Sequence, residues 1–379
     1  MHGATIPGYT QKDIMNIVLL STNPKNCKLW KSHYSNYLQY RKKLGLRGAD
    51  SLDIRLGVEC CGVQDLGLEY CGKDEGDLGV SCFVSPANSF GYMNGGYDLY
   101  LAELFAPEYD SSDSIIDFTP SGNSNEKLKR APETSNLGVV NQETAVSSEG
   151  SFSQTQRIIQ YHLSKSAFNG YLPPQLPKII DFLNFENLEL YPHHHTLFHP
   201  HLNSPAWKKC QGRYILVSPT MRTPHNLPMH NALDITRWVV DQCWNIFAAV
   251  EEHNRFLKSK SDTISQEENA GSAIISNAGS AISTLVLPSL GTGYGGLPPG
   301  LVSKAMIYSI ILFYNSDLVH WKKKYYVMRL LGLDCQWLFD GEEEILSCEG
   351  EDKEFEQKYL DLKAFNLESG TFEDLFELG

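Results

Sequence analysis

The sequence lacks several features that would assign it to common protein classes. No basic segment followed by an apolar run occurs near Met1, and the longest uncharged stretch, 270–303, is rich in Gly, Ser and Pro. A membrane-spanning helix needs about 20 mainly apolar residues, so neither segment predicts a signal peptide or a span. The nine cysteines form no CxxC pair, which favours reduced thiols. We therefore expect a soluble protein of the cytoplasm, the nucleus or both, with no membrane partner.

Positive charge is also scarce. The 379 residues include 32 Lys and Arg against 45 Asp and Glu, a net charge of −13. Nucleic-acid binding needs a basic surface, so we expect no nucleic-acid partner. A single anionic small molecule could still bind through backbone N–H groups, which do not enter the charge count. The hydrophobic fraction of 42% is enough for a substantial core and excludes global disorder.

Short apolar runs alternate with helical patterns along the chain. Each run is followed at once by Ser, Pro, Gly or Asn, as expected for buried strands; the runs are 14–20, 82–85, 214–218 and 284–287. Apolar residues recur at helical spacing in 234–250 and 303–315, and a third helix is predicted to begin near Asp98. Strands that lack alternation predict a sheet covered on both faces, and the overall pattern predicts an α/β layered fold.

The chain is predicted to form one domain over 11–340, interrupted by long disordered insertions. Two stretches are polar and poor in aromatics, at about 106–156 and 258–283, and a third, at about 191–207, is rich in His and Pro. The residues 341–379 form an acidic extension with a short amphipathic helix near its end. Nothing resembles a coiled coil, so a monomer is expected.

The residues 84–98, VSPANSFGYMNGGYD, place polar and glycine residues between a strand and a helix. Gly95 and Gly96 would let a ligand approach the backbone, and N–H groups at the start of the helix favour an anion. Asn88 can donate to and accept from a sugar hydroxyl, and Asp98 can polarise a hydroxyl or a water. The alternative interpretation is an ordinary connection in which Asp98 caps the helix.

A second glycine-rich stretch, LPSLGTGYGGLPP at 287–299, again follows a strand and precedes a helix. Four glycines and Thr292 within six residues predict a nest of backbone donors, although a flexible connection is the alternative. The stretch lacks the Lys of GxxxxGK[ST] and the context of a Rossmann GxGxxG, which excludes both nucleotide motifs. In an α/β sheet the two stretches would open at the carboxyl ends of strands, where ligands bind.

These stretches resemble the two ligand loops of macro domains. VSPANSFGYMNGGYD is similar to the first loop and LPSLGTGYGGLPP to the second, while YILVSPTMRTP resembles the strand and turn between them. The early strand and Leu-Trp helix of that family resemble IMNIVLLSTNPKNCKLW. The similarity is closest to fungal macro-domain proteins described as ADP-ribose 1″-phosphate phosphatases. It implies a three-layer fold with a mixed sheet between helices, ADP-ribose or a derivative as ligand, and no metal or cofactor.

The resemblance also implies roles for single residues. Asn88 would contact the distal ribose, and Asp98 would orient that ribose or activate water. Gly95 and Gly96 would line the ribose and the phosphates. Backbone amides would wrap the diphosphate at Gly291, Thr292, Gly293, Tyr294 and Gly295.

The family's adenine-binding Asp and several of its catalytic positions are less clear in this sequence. Asp65 and Asp77 compete for the adenine role, and we favour Asp65. Ser85 stands where many hydrolytic members have a second Asn, and Ala102 where many de-ADP-ribosylating members have a His. The family's second-loop aromatic is matched by Gly295. These departures leave Asn88 and Asp98 as the minimal catalytic pair.

Histidines offer a rival site. The cluster His193, His194, His195, His199 and His201 suggests zinc, but consecutive histidines do not share one face of a helix or strand. Neighbouring prolines imply an irregular backbone, so we interpret the cluster as a polar loop and predict no metal site. His225 and His230 could approach the cleft as an acid, although loop or core positions are commoner.

The sequence therefore predicts an ADP-ribose-binding protein that hydrolyses ADP-ribose 1″-phosphate to ADP-ribose and phosphate, with Asp98 activating water. The alternative is a non-catalytic reader of ADP-ribose or of ADP-ribosylated protein.

Overall fold

A computed structural model describes residues 14–45, 52–67, 79–108, 152–191, 199–229, 231–264, 279–318, 320–333 and 365–376. The described strands are β1 (Met15–Leu20), β2 (Ile54–Glu59), β3 (Val80–Ser85), β4 (Lys178–Asp181), β5 (Gly212–Val217) and β6 (Ile282–Pro288). They form one sheet in the order β2–β1–β6–β3–β5–β4. β4 is antiparallel to β5 and every other neighbouring pair is parallel. The sheet is therefore mixed, and the predicted α/β class is confirmed.

Helices cover both faces of the sheet. They are α1 (Pro24–Lys43), α2 (Gly96–Phe105), α3 (Phe152–Lys165), α4 (Pro205–Cys210), α5 (Ala232–Ile264), α6 (Pro299–Tyr314), α7 (His320–Leu330) and α8 (Phe372–Leu375). Successive strand side chains point to opposite faces. Ile17 and Leu19 of β1 pack with α1, α5 and α6, whereas Val18 and Leu20 pack with α2, α3 and α4. Two apolar layers thus enclose the central strands, which explains why their sequences do not alternate.

The two edge strands were not among the predicted strands. The sequence of β2 is not a continuous apolar run, because it includes the exposed Arg55 and the small Gly57. β4 has only four residues and begins and ends with Lys178 and Asp181. The four strands that the sequence predicted are the inner ones, each buried along most of its length.

Two predicted insertions are partly regular structure. α5 continues to Ile264, several residues into the stretch 258–283, and α3 begins at Phe152 within the stretch 106–156. The expectation of irregular structure is therefore wrong at these margins. The physical reason is that packing can stabilise a helix of polar composition, as in α3, where Ile158, Ile159 and Leu163 are buried. The remaining residues of both stretches, 109–151 and 265–278, lie outside the described part of the chain.

The His- and Pro-rich stretch is also partly core. A 3₁₀ turn over Pro200–Asn203 leads into α4, and the side chain of His201 is fully buried. Its ring stacks on Phe105 at 5.3 Å and packs near Phe182 at the same distance. A surface loop is therefore the wrong interpretation for this histidine, because aromatic side chains distant in sequence enclose it. The residues 192–198 lie outside the described ranges.

The end of the acidic extension packs on the domain. The predicted short helix is α8, and Phe372 and Leu375 are buried there. The Phe372 ring stacks on Tyr308 of α6 with centroids 4.0 Å apart. Arg329 of α7 donates from Nη1 to the Leu375 carbonyl at 3.1 Å. Residues 365–376 therefore share the core of the domain that was predicted to end at 340.

The described helices differ from membrane-spanning helices in length or in polarity. Within the described residues, none combines the length and the apolar character that crossing a membrane requires. The buried helix α6 has 16 residues. That corresponds to roughly 24 Å, less than the ~30 Å of a hydrocarbon core.

Candidate functional site

The two glycine-rich loops open at one edge of the sheet. The first loop (86–95) follows β3, and the second loop (289–298) follows β6. β3 and β6 are parallel neighbours in which Phe83 lies opposite Val286, so both loops leave from carboxyl ends of strands. α1, α2 and α6 begin shortly after β1, β3 and β6. Their N-termini lie at this edge and make it favourable for an anion.

The loops touch each other. A Cβ atom placed on Gly95 would lie 3.5 Å from Oη and 3.7 Å from Cε2 of Tyr294. The Tyr294 side chain is 64% exposed, so its ring bridges the loops at the surface. The structure therefore brings together the two stretches that the sequence singled out.

Several carbonyl groups of the second loop accept backbone hydrogen bonds. The carbonyl of Gly291 accepts from the N–H of Leu297, that of Gly293 from Gly296, and that of Gly295 from Leu227, each at 3.0 Å. Among the described residues, no acceptor is bonded to the N–H groups of 291–295. Successive unpaired amides of this kind form a concavity that binds anions. Donors without an acceptor are thus present in the loop for which the sequence predicts a nest.

Gly295 has a steric reason to be glycine. A Cβ at this position would lie 2.4 Å from the carbonyl oxygen of Gly291, which is a backbone atom and cannot swing away. No aromatic side chain could stand here, in agreement with the departure noted from the family pattern. The exposed aromatic of this loop is Tyr294, one residue earlier, and it is the one that reaches Gly95.

Asn88 uses its amide group inside the first loop. Its Oδ1 accepts from the N–H of Phe90 at 3.0 Å and of Tyr92 at 3.4 Å, and its Nδ2 donates to the Tyr92 carbonyl at 3.0 Å. The side chain is buried, and its backbone bridges to Met221 in the turn after β5. Asn88 therefore shapes the loop. The ribose contact predicted for it would need the one Nδ2 hydrogen that this pattern leaves over.

The start of α2 supplies further donors. Gly95 is the N-cap residue, and Gly96 follows with a φ of +57°. Such a φ is strained for any residue with a Cβ, so glycine is required there. In the described part of the chain, the N–H groups of Gly96 and Tyr97 have no acceptor. They join the second-loop amides at the same edge.

Asp98 lies in the first turn of α2 and is held by Ser85. Ser85 Oγ donates to Asp98 Oδ1 at 2.7 Å. Burial raises the pKa of Asp98 to about 7, and the hydrogen bond from Ser85 opposes the rise. The helix N-terminus also favours the charged carboxylate. A partly exposed carboxyl that holds its proton at mildly acidic pH and releases it above neutrality suits general acid–base chemistry.

Three further serines line the same edge and were not predicted as site residues. Ser21, Ser218 and Ser289 follow β1, β5 and β6 directly. Ser218 Oγ accepts from Gln242 Nε2 at 2.6 Å, and Ser21 Oγ accepts from the N–H of Asn23 at 3.1 Å. Within the described ranges, the buried Ser289 Oγ has no partner. The sequence does contain a signal for them, because three of the buried apolar runs have a serine at or just after their end.

Asp65 lies apart from the loops. It is exposed at the end of a 3₁₀ turn over Val63–Asp65. Its neighbour Gln64 bonds Glu103 near the end of α2, and the Leu66 carbonyl accepts from Cys210, which precedes β5. These contacts belong to the amino ends of the strands, so the structure does not bring Asp65 to the cleft. Asp77 lies outside the described residues.

The histidines do not form a metal site in the described structure. His201 Nε2 lies 2.8 Å from the carbonyl of Gly212, and His199 Nε2 lies 3.2 Å from that of Asn184. His225 is exposed and contacts the carbonyl of Thr223 in its own turn. Over the described ranges, no three His, Cys, Asp or Glu side chains are grouped to bind a metal. His193–His195 and His230 lie outside those ranges.

The arrangement offers backbone amides to an anion and places one carboxyl with a raised pKa, that of Asp98, at the same edge of the sheet. No protein-family model matches the chain, and no curated protein matches its sequence. The functional interpretation therefore depends on the geometry of the two loops and of Asp98.

Proposed function

We propose that the chain is a macro domain that binds ADP-ribose and hydrolyses ADP-ribose 1″-phosphate to ADP-ribose and phosphate. The observation that carries the proposal is the close approach of Tyr294 to Gly95, which brings an amide-rich loop next to the start of α2. The mixed sheet between two helical layers supports the three-layer architecture that the sequence resemblance implies.

In this proposal the diphosphate binds to main-chain donors. The unpaired N–H groups of 291–295 face an anion without the help of a lysine, as the acidic composition requires. The N-termini of α2 and α6 add positive potential. The distal ribose lies over Gly95 and Gly96, with Tyr294 as its neighbour. Asp65 takes no part, because its contacts lie toward the other end of the strands.

The chemical step is assigned to Asp98. Its carboxylate takes a proton from a water as the water oxygen bonds to the 1″-phosphorus and the bond from phosphorus to O1″ breaks. ADP-ribose leaves with the bonding electron pair and takes up a proton from solvent. One positioned base contributes about 10²–10⁴-fold, so turnover is slow unless loop amides also stabilise the developing charge. Asn88 holds the first loop in the shape that this geometry needs.

One observation favours the non-catalytic reader as a second candidate. The amide of Asn88 is largely committed to Phe90 and Tyr92, which leaves Asp98 as the one predicted catalytic residue with an uncommitted polar atom. A site with a single carboxyl could bind ADP-ribose tightly and never hydrolyse a phosphate ester. The two candidates share the ligand and differ in the chemistry.

Calorimetric titration with ADP-ribose tests the shared part of the proposal. Heat of binding at micromolar to low millimolar concentration supports the ligand assignment, and no heat at millimolar concentration overturns both candidates. The variant that tests the second loop is Gly295→Ala, in which the new Cβ would meet the Gly291 carbonyl and distort the loop. If Gly295→Ala binds ADP-ribose as tightly as wild-type protein does, the second loop is not part of the binding site.

Phosphate release separates the enzyme from the reader. Wild-type protein is incubated with ADP-ribose 1″-phosphate, and phosphate is measured beside Asp98→Ala. If the protein is an enzyme, we expect phosphate release to fall at least 100-fold in Asp98→Ala while the affinity for ADP-ribose falls much less. Wild-type protein that binds ADP-ribose and releases no phosphate is the result expected of the reader.

We also propose that the protein acts as a monomer in the cytoplasm, the nucleus or both. Support comes from the nine cysteines without a CxxC pair, which suit a reducing compartment. Microscopy of a fluorescent fusion and light scattering of the purified protein test the two statements. A secreted fusion or a stable dimer would contradict them.

A further inference from the structure

The carboxyl group of Asp98 has two oxygens with different surroundings. Oδ1 accepts the 2.7 Å hydrogen bond from Ser85 Oγ. Among the described residues, no donor reaches Oδ2. The hydrogen bond spans two elements, because Ser85 is the last residue of β3 and Asp98 lies in the first turn of α2. One oxygen is therefore tied to the sheet, and the other can meet a water.

We infer that Ser85 is a positioning residue that fixes Asp98 through Oδ1 and leaves Oδ2 as the oxygen that receives the proton of the attacking water. The inference rests on the proposed function and specifies its base. Ser85 itself does not touch the substrate, since its side chain is fully buried and its hydroxyl proton is donated to Asp98. It acts on the reaction through the orientation and charge of its partner.

The surroundings of Asp98 make Ser85 the main group that favours its charged form. Burial is the larger influence and raises the pKa of Asp98, and the Ser85 hydrogen bond lowers it. The neighbouring phenol of Tyr97 is neutral, because burial raises its pKa well above 10. The charged groups on α2 and on the helical elements packed against it are Glu103, Asp65, Arg157, Lys165, Lys208 and Lys209. None of them is among the causes that shift the pKa of Asp98. Within the described residues, Ser85 is the one side chain that lowers the pKa of Asp98.

The test compares Ser85→Ala with two other serine variants. Removing the hydroxyl should move the midpoint of the rise of kcat with pH upward by about one pH unit, because a hydrogen bond to a carboxylate stabilises its charged form. At pH 6 this corresponds to roughly a tenfold loss of kcat. Ser85→Thr keeps a hydroxyl and should restore the wild-type midpoint. Ser218→Ala is the matched control, since this serine ends the neighbouring strand and bonds Gln242 instead of Asp98.

A second measurement does not depend on activity. The carboxyl carbon of Asp98 is followed by NMR in ¹³C-aspartate-labelled protein over a pH series, with Asp98→Asn used to assign the signal. An upward shift of the titration midpoint in Ser85→Ala, but not in Ser218→Ala, supports the inference. An unchanged midpoint in Ser85→Ala overturns it, whatever the enzyme does.

The two failures can be told apart. If wild-type protein releases no phosphate, the proposed hydrolysis is wrong, and the NMR titration still decides whether Ser85 sets the charge of Asp98. If wild-type protein is active, and Ser85→Ala changes neither the pH midpoint of kcat nor the midpoint of the NMR titration, the positioning role is wrong and the proposed function stands.

Discussion

The phenol of Tyr294 lies in van der Waals range of the position that a side chain on Gly95 would occupy. This contact joins loops that are about 200 residues apart in sequence and follow neighbouring parallel strands. It lies at the same edge of the sheet as the second-loop amides of 291–295, which have no acceptor among the described residues. The conformation of that loop is therefore the first property to test.

Replacing Gly295 with Ala should disrupt the second loop. The new Cβ would lie 2.4 Å from the Gly291 carbonyl oxygen and 3.0 Å from Leu227 Cδ1, so the backbone must move. We expect a loss of about 1–3 kcal/mol in the free energy of unfolding, together with loss of ADP-ribose binding. Urea denaturation and calorimetry measure the two effects.

Gly293→Ala is the matched control for this substitution. Among the described residues, no atom lies within 4 Å of a Cβ at Gly293, and the residue has no positive φ. The variant should fold with nearly wild-type stability, because the same chemical change meets no obstacle. Equal effects of Gly293→Ala and Gly295→Ala would show that the close approach of Gly295 to Gly291 does not shape the loop.

Asp98→Asn should stabilise the folded protein at high pH. The pKa of Asp98 is raised to about 7 in the folded state from an ordinary value of 3.8, so the folded state holds the proton more tightly. The stabilisation of the folded state by this proton is complete below the ordinary pKa of 3.8 and is lost as the pH rises through 7. The neutral Asn can still accept from Ser85. At pH 8 we expect the variant to be more stable by on the order of 2 kcal/mol, a figure reduced for the partial exposure of Asp98.

Urea denaturation of wild type and Asp98→Asn at pH 4.5 and pH 8 checks this expectation. Other titrating groups cancel in the difference between the two proteins. The difference should be small at the lower pH and favour the variant at the higher one. A difference of the same size at both values would mean that Asp98 is not held protonated by the fold.

The inner part of the fold could be predicted from the sequence, and its edges could not. Buried central strands read as apolar runs that end at Ser, Pro, Gly or Asn, whatever their neighbours are. β4 gives no such signal, because its Asp181 is held by Arg213 of β5 through a long-range ion pair with a 2.7 Å contact. Pairings of this kind depend on the order of strands, which local periodicity does not contain.

The candidate site shows the same division. Both loops could be predicted from their glycines, because a positive φ or a close backbone approach requires glycine at that position. The commitment of Asn88 to its own turn and the bond from Ser85 to Asp98 depend on backbone directions that the sequence does not reveal. The serine that departs from the family pattern is the residue that holds Asp98.

His201 should make the protein less stable in mild acid. Burial lowers the pKa of His201 to about 4, against 6.5 for an ordinary histidine, while the Gly212 carbonyl opposes the shift. The unfolded chain therefore takes up a proton first, and stability is lost as pH falls from 6.5 toward 4. His201→Phe should reduce this slope, at the cost of about 1–3 kcal/mol at pH 7 for the carbonyls left without a partner.

Thermal and urea unfolding between pH 4 and 7 measure the slope. Part of it should remain in His201→Phe, because burial also lowers the pKa of His33 and His253. His225→Phe provides the control, because the side chain of His225 is exposed. If the two variants behave alike, His201 is not the buried neutral group described above.

Phe372 should be as important to stability as a residue of the central core, although it lies seven residues from the end of the sequence. Its side chain is 3% exposed, stacks on Tyr308 and contacts Tyr37 with ring centroids 5.2 Å apart. Truncation to Ala removes these contacts and leaves a cavity between α1 and α6. We expect Phe372→Ala to lower the free energy of unfolding by about 3 kcal/mol. The adjacent Glu373→Ala removes only an exposed ion pair with Lys43 and should cost less than about 1 kcal/mol. Urea denaturation of the two variants decides the matter, since equal and small losses would mean that the acidic extension does not pack on the domain in solution.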